Sequence, residues 1–188
     1  MALAISDRAR WEDRYRTGSY ARSPSSLVRA LDGVLPRDGR ALDVAGGAGR
    51  HAVWLAERGL SVTLVDVSET ALELCERAAD DAGVSVRTVL ADLETEALPP
   101  GPWDVVLAFH YLWRPLMPAL CAALRPGGKL VVVQPTRSNL RRHPHPREAF
   151  LLDDGELPSL VGDLKVVSYE EGWLDEGRHE ACLVARRR

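Results

Sequence analysis

Apolar and polar positions repeat with two different periods along this chain, and each change of period marks an element. Residues 6–16 carry Trp11 and Tyr15 at i, i+4 spacing within a charged segment, which predicts a helix capped by Ser6 or Asp7 and closed by Gly18. A second short helix is expected from Pro24-Ser25 to Leu31, with Gly33 and Pro36 as stop signals. The texture then changes. Ala41-Leu-Asp-Val-Ala45 is a short apolar run ending in Gly46-Gly-Ala-Gly49, and His51 to Arg58 follows with helical spacing up to Gly59. Ser61-Val-Thr-Leu-Val-Asp66-Val67 is β-branched and predicts a strand, after which Ser68 caps a helix through Ala79 that Gly83 closes.

The alternation continues with strands at Val84–Leu90 and Trp103–Phe109, a helix at about Leu116–Leu124 and a strand at Lys129–Val133. Near-continuous Val/Leu strands separated by helices imply a parallel sheet buried on both faces, hence an α/β, Rossmann-like doubly wound fold. Residues 137–147, with four arginines, His143, His145 and two prolines, predict a loop, and Glu156–Val161 a short helix. Lys165–Gly172 and His179–Ala185 are two strands only a short turn apart, so they must pair antiparallel. Arg186-Arg-Arg188 is expected to be a solvated tail.

A glycine-rich turn after the first strand brings backbone N–H groups and a helix N-terminus close to a ligand. Asp43 stands on the strand before that turn, Asp66 ends the next strand and Asp92 follows the third. Acidic residues at successive strand ends, on the side where open α/β sheets bind ligands, describe a nucleoside crevice. A carboxylate at Asp66 can accept from both ribose hydroxyls, and one at Asp92 from an exocyclic amine.

Composition narrows the classes. The 188 residues amount to one domain, and 46% hydrophobic with 27% charged excludes disordered and fibrous chains. Lys+Arg 24 against Asp+Glu 27 gives a net charge of −3, which argues against gripping a nucleic-acid backbone. Three scattered cysteines, Cys75, Cys121 and Cys182, suggest neither a disulfide framework nor a zinc site, and a reducing cytoplasm is expected. No run has the length of a membrane span or of a signal-peptide core. His143-Pro-His145 has no third ligand in view, so no metal is expected.

Leu42-Asp-Val-Ala-Gly-Gly-Ala-Gly-Arg50, Val65-Asp66, Ala91-Asp92, Trp103-Asp-Val-Val106 and Leu124-Arg-Pro-Gly-Gly-Lys-Leu130 together resemble, in order and spacing, the motifs of class I S-adenosylmethionine-dependent methyltransferases. The resemblance covers residues 40–135 and implies that family's seven-stranded sheet, mostly parallel with an antiparallel C-terminal strand. It implies S-adenosyl-L-methionine as cofactor, with Asp66 on the ribose, Asp92 on the adenine amine, and Val67, Leu93 and Phe109 against the base and its surroundings. Gly46, Gly47 and Gly49 would pass beneath the methionine moiety, with Asp43 orienting its amino group. Ala45 departs from the family, which usually has glycine there, and its methyl is expected to crowd the cofactor.

The ends of the chain carry a narrower resemblance. Trp11-Glu-Asp-Arg14-Tyr15, Gly18-Ser-Tyr20, Pro24-Ser25, Gly49-Arg-His-Ala52 and Phe150–Leu157 are similar to small methyltransferases of the tellurite-resistance and thiol-methylating type. The organisation this implies is a single methyltransferase domain. It comprises a helical lid at 1–36, a cofactor-binding core at 40–136, a substrate-side insert at 137–163 and an antiparallel strand pair at 164–188.

Methyl transfer from a sulfonium is an in-line displacement that mainly needs alignment and exclusion of water. Candidate catalytic residues are His110, Tyr111 and Arg14, with His110 suited to a general base because imidazole titrates near neutrality. Candidate acceptor-binding residues are Trp11, Tyr15, Tyr20, Trp113, Arg137 and His143. Phe109-His-Tyr-Leu112 stands where the resemblance would place Asn/Asp-Pro-Pro-Tyr/Phe in enzymes that methylate DNA bases or protein glutamine. The expected acceptor is therefore a small molecule, a thiol or a metalloid oxyanion, with neither nucleic acid nor membrane as partner and a homodimer left open. Two other readings stay open at this stage. Gly47-Ala-Gly49-Arg-His-Ala52 also satisfies the G-x-G-x-x-G/A pattern of nicotinamide-dependent oxidoreductases, and Ala45 leaves room for a non-catalytic cofactor-binding subunit.

Overall fold

The computed structural model describes all residues except Met1 and Ser19, with side chains from Arg8 onward. Residues 1–100 and 101–188 form two compact units. The first begins with α1 (Ala2–Arg16) and α2 (Ser26–Ala30), then β1 (Arg40–Val44), α3 (Arg50–Glu57), β2 (Ser61–Asp66), α4 (Glu69–Asp81) and β3 (Val86–Leu90). Ala41, Leu42, Asp43 and Val44 are all fully buried, as a strand covered on both faces requires. β1 and β2 pair in parallel from Arg40↔Ser61 to Val44↔Val65, and β2 and β3 from Val62↔Val86 to Asp66↔Leu90. This register brings the ends of β1 and β2 side by side, with Asp43 opposite Leu64. Ser68 caps α4 by accepting from the Ala71 N–H at 3.1 Å.

The second unit holds β4 (Trp103–Phe109), α5 (Met117–Ala122), β5 (Leu124–Pro135), β6 (Lys165–Trp173) and β7 (His179–Arg186), joined by short 3-10 turns. β4 and β5 are parallel, and β7 runs antiparallel to both β5 and β6, so β7 is the reversed strand of this unit. Val105, Val106, Leu130, Val131, Val132 and Leu183 form its core. The seven strands make the expected mixed sheet, mostly parallel with an antiparallel C-terminal strand. Among the described residues no helix is long and apolar enough to cross a membrane.

Several local expectations need correction. α1 starts at Ala2, so Ser6 and Asp7 lie inside the helix and not at its cap; their side chains, like Ser19, lie outside the described residues. β5 extends in both directions beyond Lys129–Val133, because β4 pairs with it at Trp103↔Leu124 and β7 pairs with it as far as Pro135↔Glu180. Residues 137–141, expected as loop, form a 3-10 turn in which Arg142 and His143 N–H groups bond to the Asn139 carbonyl. The C-terminal arginines are not simply a tail: Arg186 ends β7, and the Arg187 guanidinium donates to the carbonyls of Ala122 and Leu124.

Candidate active site

The first unit builds its site around the turn between β1 and α3. Gly46 cannot carry a side chain, since a Cβ there would stand 2.6 Å from Leu64 Cδ1 and 2.7 Å from Asp43 Oδ2. Gly47 has φ 59°, and a Cβ there would collide with the Tyr15 hydroxyl. Ala45 adopts φ 51°, in the left-handed region that favours glycine, which gives its departure from the family a physical consequence.

Two carboxylates flank this turn. Asp66 is 6% exposed; its Oδ2 accepts the Gly47 N–H at 2.8 Å and its Oδ1 the Ser68 N–H at 2.9 Å. Of the roughly four lone-pair sites on a carboxylate, about two remain for a ligand's hydroxyls. Burial pushes the Asp66 carboxyl up, while the Ser68, Gly47 and Val67 amides pull it back down. Asp43 is fully buried, and neither of its oxygens has a hydrogen bond among the described residues. Burial first, and the Asp66 charge second, push its carboxyl up to about 7 against the opposing pull of Arg50 and of the Ala52 amide, which is close but outside hydrogen-bond geometry. A buried carboxylate without a donor is costly unless a ligand supplies one.

α1 reaches this turn from outside. The Glu12 carboxylate accepts the Glu69 N–H at 2.6 Å and the Thr70 N–H at 3.3 Å, an anion seated on the first turn of α4. Burial opposes that charge, but hydrogen bonds from Thr70, Glu69 and Ser68 hold the carboxyl below its usual range. One turn further, the Tyr15 hydroxyl lies over Gly47. Burial and the Asp66 charge raise the Tyr15 phenol well above its ordinary value, so it stays protonated at neutral pH and serves as a donor, not a base. Trp11 stacks 6.1 Å from Tyr15, Tyr20 lies 5.6 Å from it, and the Arg14 guanidinium sits 5.1 Å over the Trp11 ring. Asp92 accepts the Glu94 N–H through Oδ1, and its own N–H donates to Glu96, so it closes the turn after β3 beside buried Leu93 and half-buried Val67.

The second unit places another group of candidates at the end of β4. His110 adopts φ 57°, and its N–H donates to the Val133 carbonyl at 2.8 Å. Its Nε2 lies 2.8 Å from Oε1 of Glu180, a residue 4% exposed on β7. Phe109 packs against the His110 ring at 4.1 Å, with Tyr111 and Trp113 half-buried just beyond. Two acceptor-site candidates are engaged elsewhere: Arg137 pairs with Asp153 at 2.5 Å, and His143 Nε2 donates to the Gly177 carbonyl at 2.7 Å. Asp154, Glu171 and His179 bring one ligand-type atom each within 4.8 Å of one another. Their polar atoms already meet protein partners, namely Ser138 on Asp154, Gly155 and Tyr169 on Glu171, and Thr136 on His179. That arrangement is a hydrogen-bonded knot beneath the 137–141 turn. The thiols of Cys75 and Cys182 are pushed up by burial, to about 12 and about 11, so neither is a thiolate nucleophile at neutral pH.

Sequence reasoning missed Glu180 and Glu12. The signal for Glu180 was available as an acidic residue inside an otherwise apolar strand, whereas Glu12 sits among charges that all look solvated.

The chain is similar to known proteins. The methyltransferase domain family matches residues 41–128. A tRNA 5-carboxymethoxyuridine methyltransferase of Escherichia coli (strain K12) is 35% identical over 119 residues, 55% of this chain and 43% of that one. Over these residues the chain is similar to members of the class I S-adenosylmethionine-dependent methyltransferase superfamily. A ubiquinone biosynthesis O-methyltransferase of Marinobacter nauticus is 31% identical over 149 residues, covering 75% of this chain and 55% of that one. TehB from Haemophilus influenzae shares the methyltransferase fold at a TM-score of 0.74 and 20% identity, over 95% of this chain and 67% of that one. The chain spans about half the length of the curated methyltransferases it matches. S-adenosylmethionine is the superfamily's cofactor, and the residues fit it: a buried carboxylate lacking a donor, a turn that tolerates no Cβ, and a second carboxylate with acceptor capacity to spare.

Proposed function

We propose that this chain transfers a methyl group from S-adenosylmethionine to a small-molecule nucleophile. The observation that carries the reading is the pair Asp43 and Asp66 astride the glycine turn, one carboxylate wholly buried without a donor and the other locking the turn through the Gly47 N–H. The bound cofactor would supply an activated methyl on a sulfonium. Asp66 would hold the ribose hydroxyls and Asp43 the amino group of the methionine moiety. The Gly46–Gly49 backbone leaves room for close approach, and Tyr15, kept neutral by burial, covers the turn and excludes water. His110 would take a proton from the acceptor.

For the acceptor we favour a thiol or a metalloid oxyanion. The resemblance of the chain's ends to tellurite-resistance and thiol-methylating enzymes supports this choice, as does the likeness in fold to TehB. The net charge of −3 weighs against a tRNA acceptor of the kind named for the Escherichia coli relative. Calorimetry with S-adenosylmethionine and S-adenosylhomocysteine tests the cofactor assignment. The native chain should bind both, and Asp66→Ala should weaken both by about 1–3 kcal/mol, the scale of charge-assisted hydrogen bonds. Binding of reduced nicotinamide dinucleotide in place of both would refute the proposal.

A further inference from the structure

We infer that Glu180 is a positioning residue for His110, and that the pair acts as a general base on an acceptor whose reacting atom carries a proton, an uncharged thiol or hydroxyl and not a metalloid oxyanion. The inference rests on the methyltransferase reading above and narrows its substrate class. Glu180 is a carboxylate 3% exposed at its side chain, in register with Pro135 of β5 and Gly172 of β6. A charge so placed requires compensation. Its compensation is the His110 Nε2 at 2.8 Å; the exposed Arg178 guanidinium is more distant, at 3.8 Å.

The imidazole is fixed from three directions. Its backbone is held at φ 57° by the Val133 carbonyl, Phe109 lies against its face, and Glu180 accepts from Nε2. An Nε2–H bonded to a carboxylate leaves the lone pair on Nδ1, the arrangement in which a carboxylate sets the tautomer of a histidine base. Among the described residues Nδ1 has no hydrogen-bond partner, and the His110 side chain keeps 27% of its surface open. His110 also follows the C-terminal end of a parallel strand, where open α/β sheets bind their ligands.

In the step this serves, the X–H proton of the acceptor moves to His110 Nδ1. The electron pair left on X forms the bond to the transferred methyl, and the pair of the broken S–C bond returns to sulfur. The imidazolium, stabilised by Glu180, then releases its proton to water. A metalloid oxyanion attacks through the lone pair of its central atom, which bears no proton, and so needs no base.

The test is Glu180→Gln in the full chain. A glutamine can present its NH2 to Nε2, which favours the tautomer with hydrogen on Nδ1 and removes the lone pair from the acceptor side. Benzyl mercaptan and p-methoxyphenol are un-ionised near pH 7.5, whereas p-nitrothiophenol is ionised there. Turnover of the un-ionised probes should fall on the order of 10²-fold, with that of p-nitrothiophenol and the affinity for S-adenosylmethionine unchanged. His110→Asn, which tolerates the positive φ, should lose turnover of the un-ionised probes on the same scale if Glu180→Gln fails to fold. Imidazole nitrogen NMR, assigned through His110→Asn, should report hydrogen on Nε2 in the native chain and on Nδ1 in Glu180→Gln. Equal losses on ionised and un-ionised acceptors, no loss on either, or a native Nδ1–H tautomer would overturn the inference. So would a chain that binds S-adenosylmethionine but methylates none of the three probes. A chain that binds no S-adenosylmethionine fails the parent reading instead.

Discussion

At the scale of single residues, the site is shaped by two that carry a cost. Ala45 holds φ 51°, where an L-residue is roughly 1–2 kcal/mol worse than in its ordinary region. Replacing it with glycine removes that strain but adds freedom to the unfolded chain, worth about 0.4–1 kcal/mol in the other direction. Ala45→Gly should therefore stabilise the chain by about 0.5–1 kcal/mol and raise the melting temperature by about 1–4 °C; a lower melting temperature would mean that the methyl packs favourably. Asp43 carries the second cost. Its carboxyl sits at about 7 against an ordinary 3.8, so the folded free chain holds this proton more tightly than the unfolded chain does. The stability that proton contributes is fully present below the ordinary value and is lost as pH rises through about 7. A ligand ammonium reverses the balance by favouring the ionised form.

At the scale of elements, α1 is fastened by its side chains, since five of its last seven residues are charged and little apolar surface is available to bury. Glu12 on the α4 N-terminus and Tyr15 over Gly47 are its anchors. Glu12→Ala removes two charge-assisted contacts, and about 1 kcal/mol of docking should go with them. Hydrogen exchange should show faster exchange at the Glu69 and Thr70 amides, with the β1 and β2 amides unchanged; unchanged protection at Glu69 would show that α1 docks by other means.

This fastening also explains what the sequence made legible and what it did not. β1, β2, β4 and β5 could be read as elements because their apolar runs reflect burial on both faces, and the Ser68 cap because capping is local chemistry. The start of α1, the length of β5 and the 137–141 turn depend on partners distant in sequence. The Asp43, Gly46, Gly47 and Asp66 cluster was legible because strand ends and glycines occur in a fixed order. The His110–Glu180 contact joins residues 70 apart through the β5–β7 register, which periodicity does not encode.

At the scale of the molecule, the sheet has the fold of many methyltransferases, and what is particular to this chain lies at the strand ends. The central claim is that the turn flanked by Asp43 and Asp66 is a cofactor cradle. It is tested most directly by the affinity for S-adenosylhomocysteine between about pH 6 and about pH 8.5, native chain beside Asp43→Asn. If Asp43 receives the ligand's amino group, binding releases the Asp43 proton, and native affinity should rise up to about tenfold per pH unit below about 7 and then level off. Asp43→Asn should bind more weakly with that rise abolished. Native and variant affinities that are equal at every pH, or no binding at all, would contradict the account.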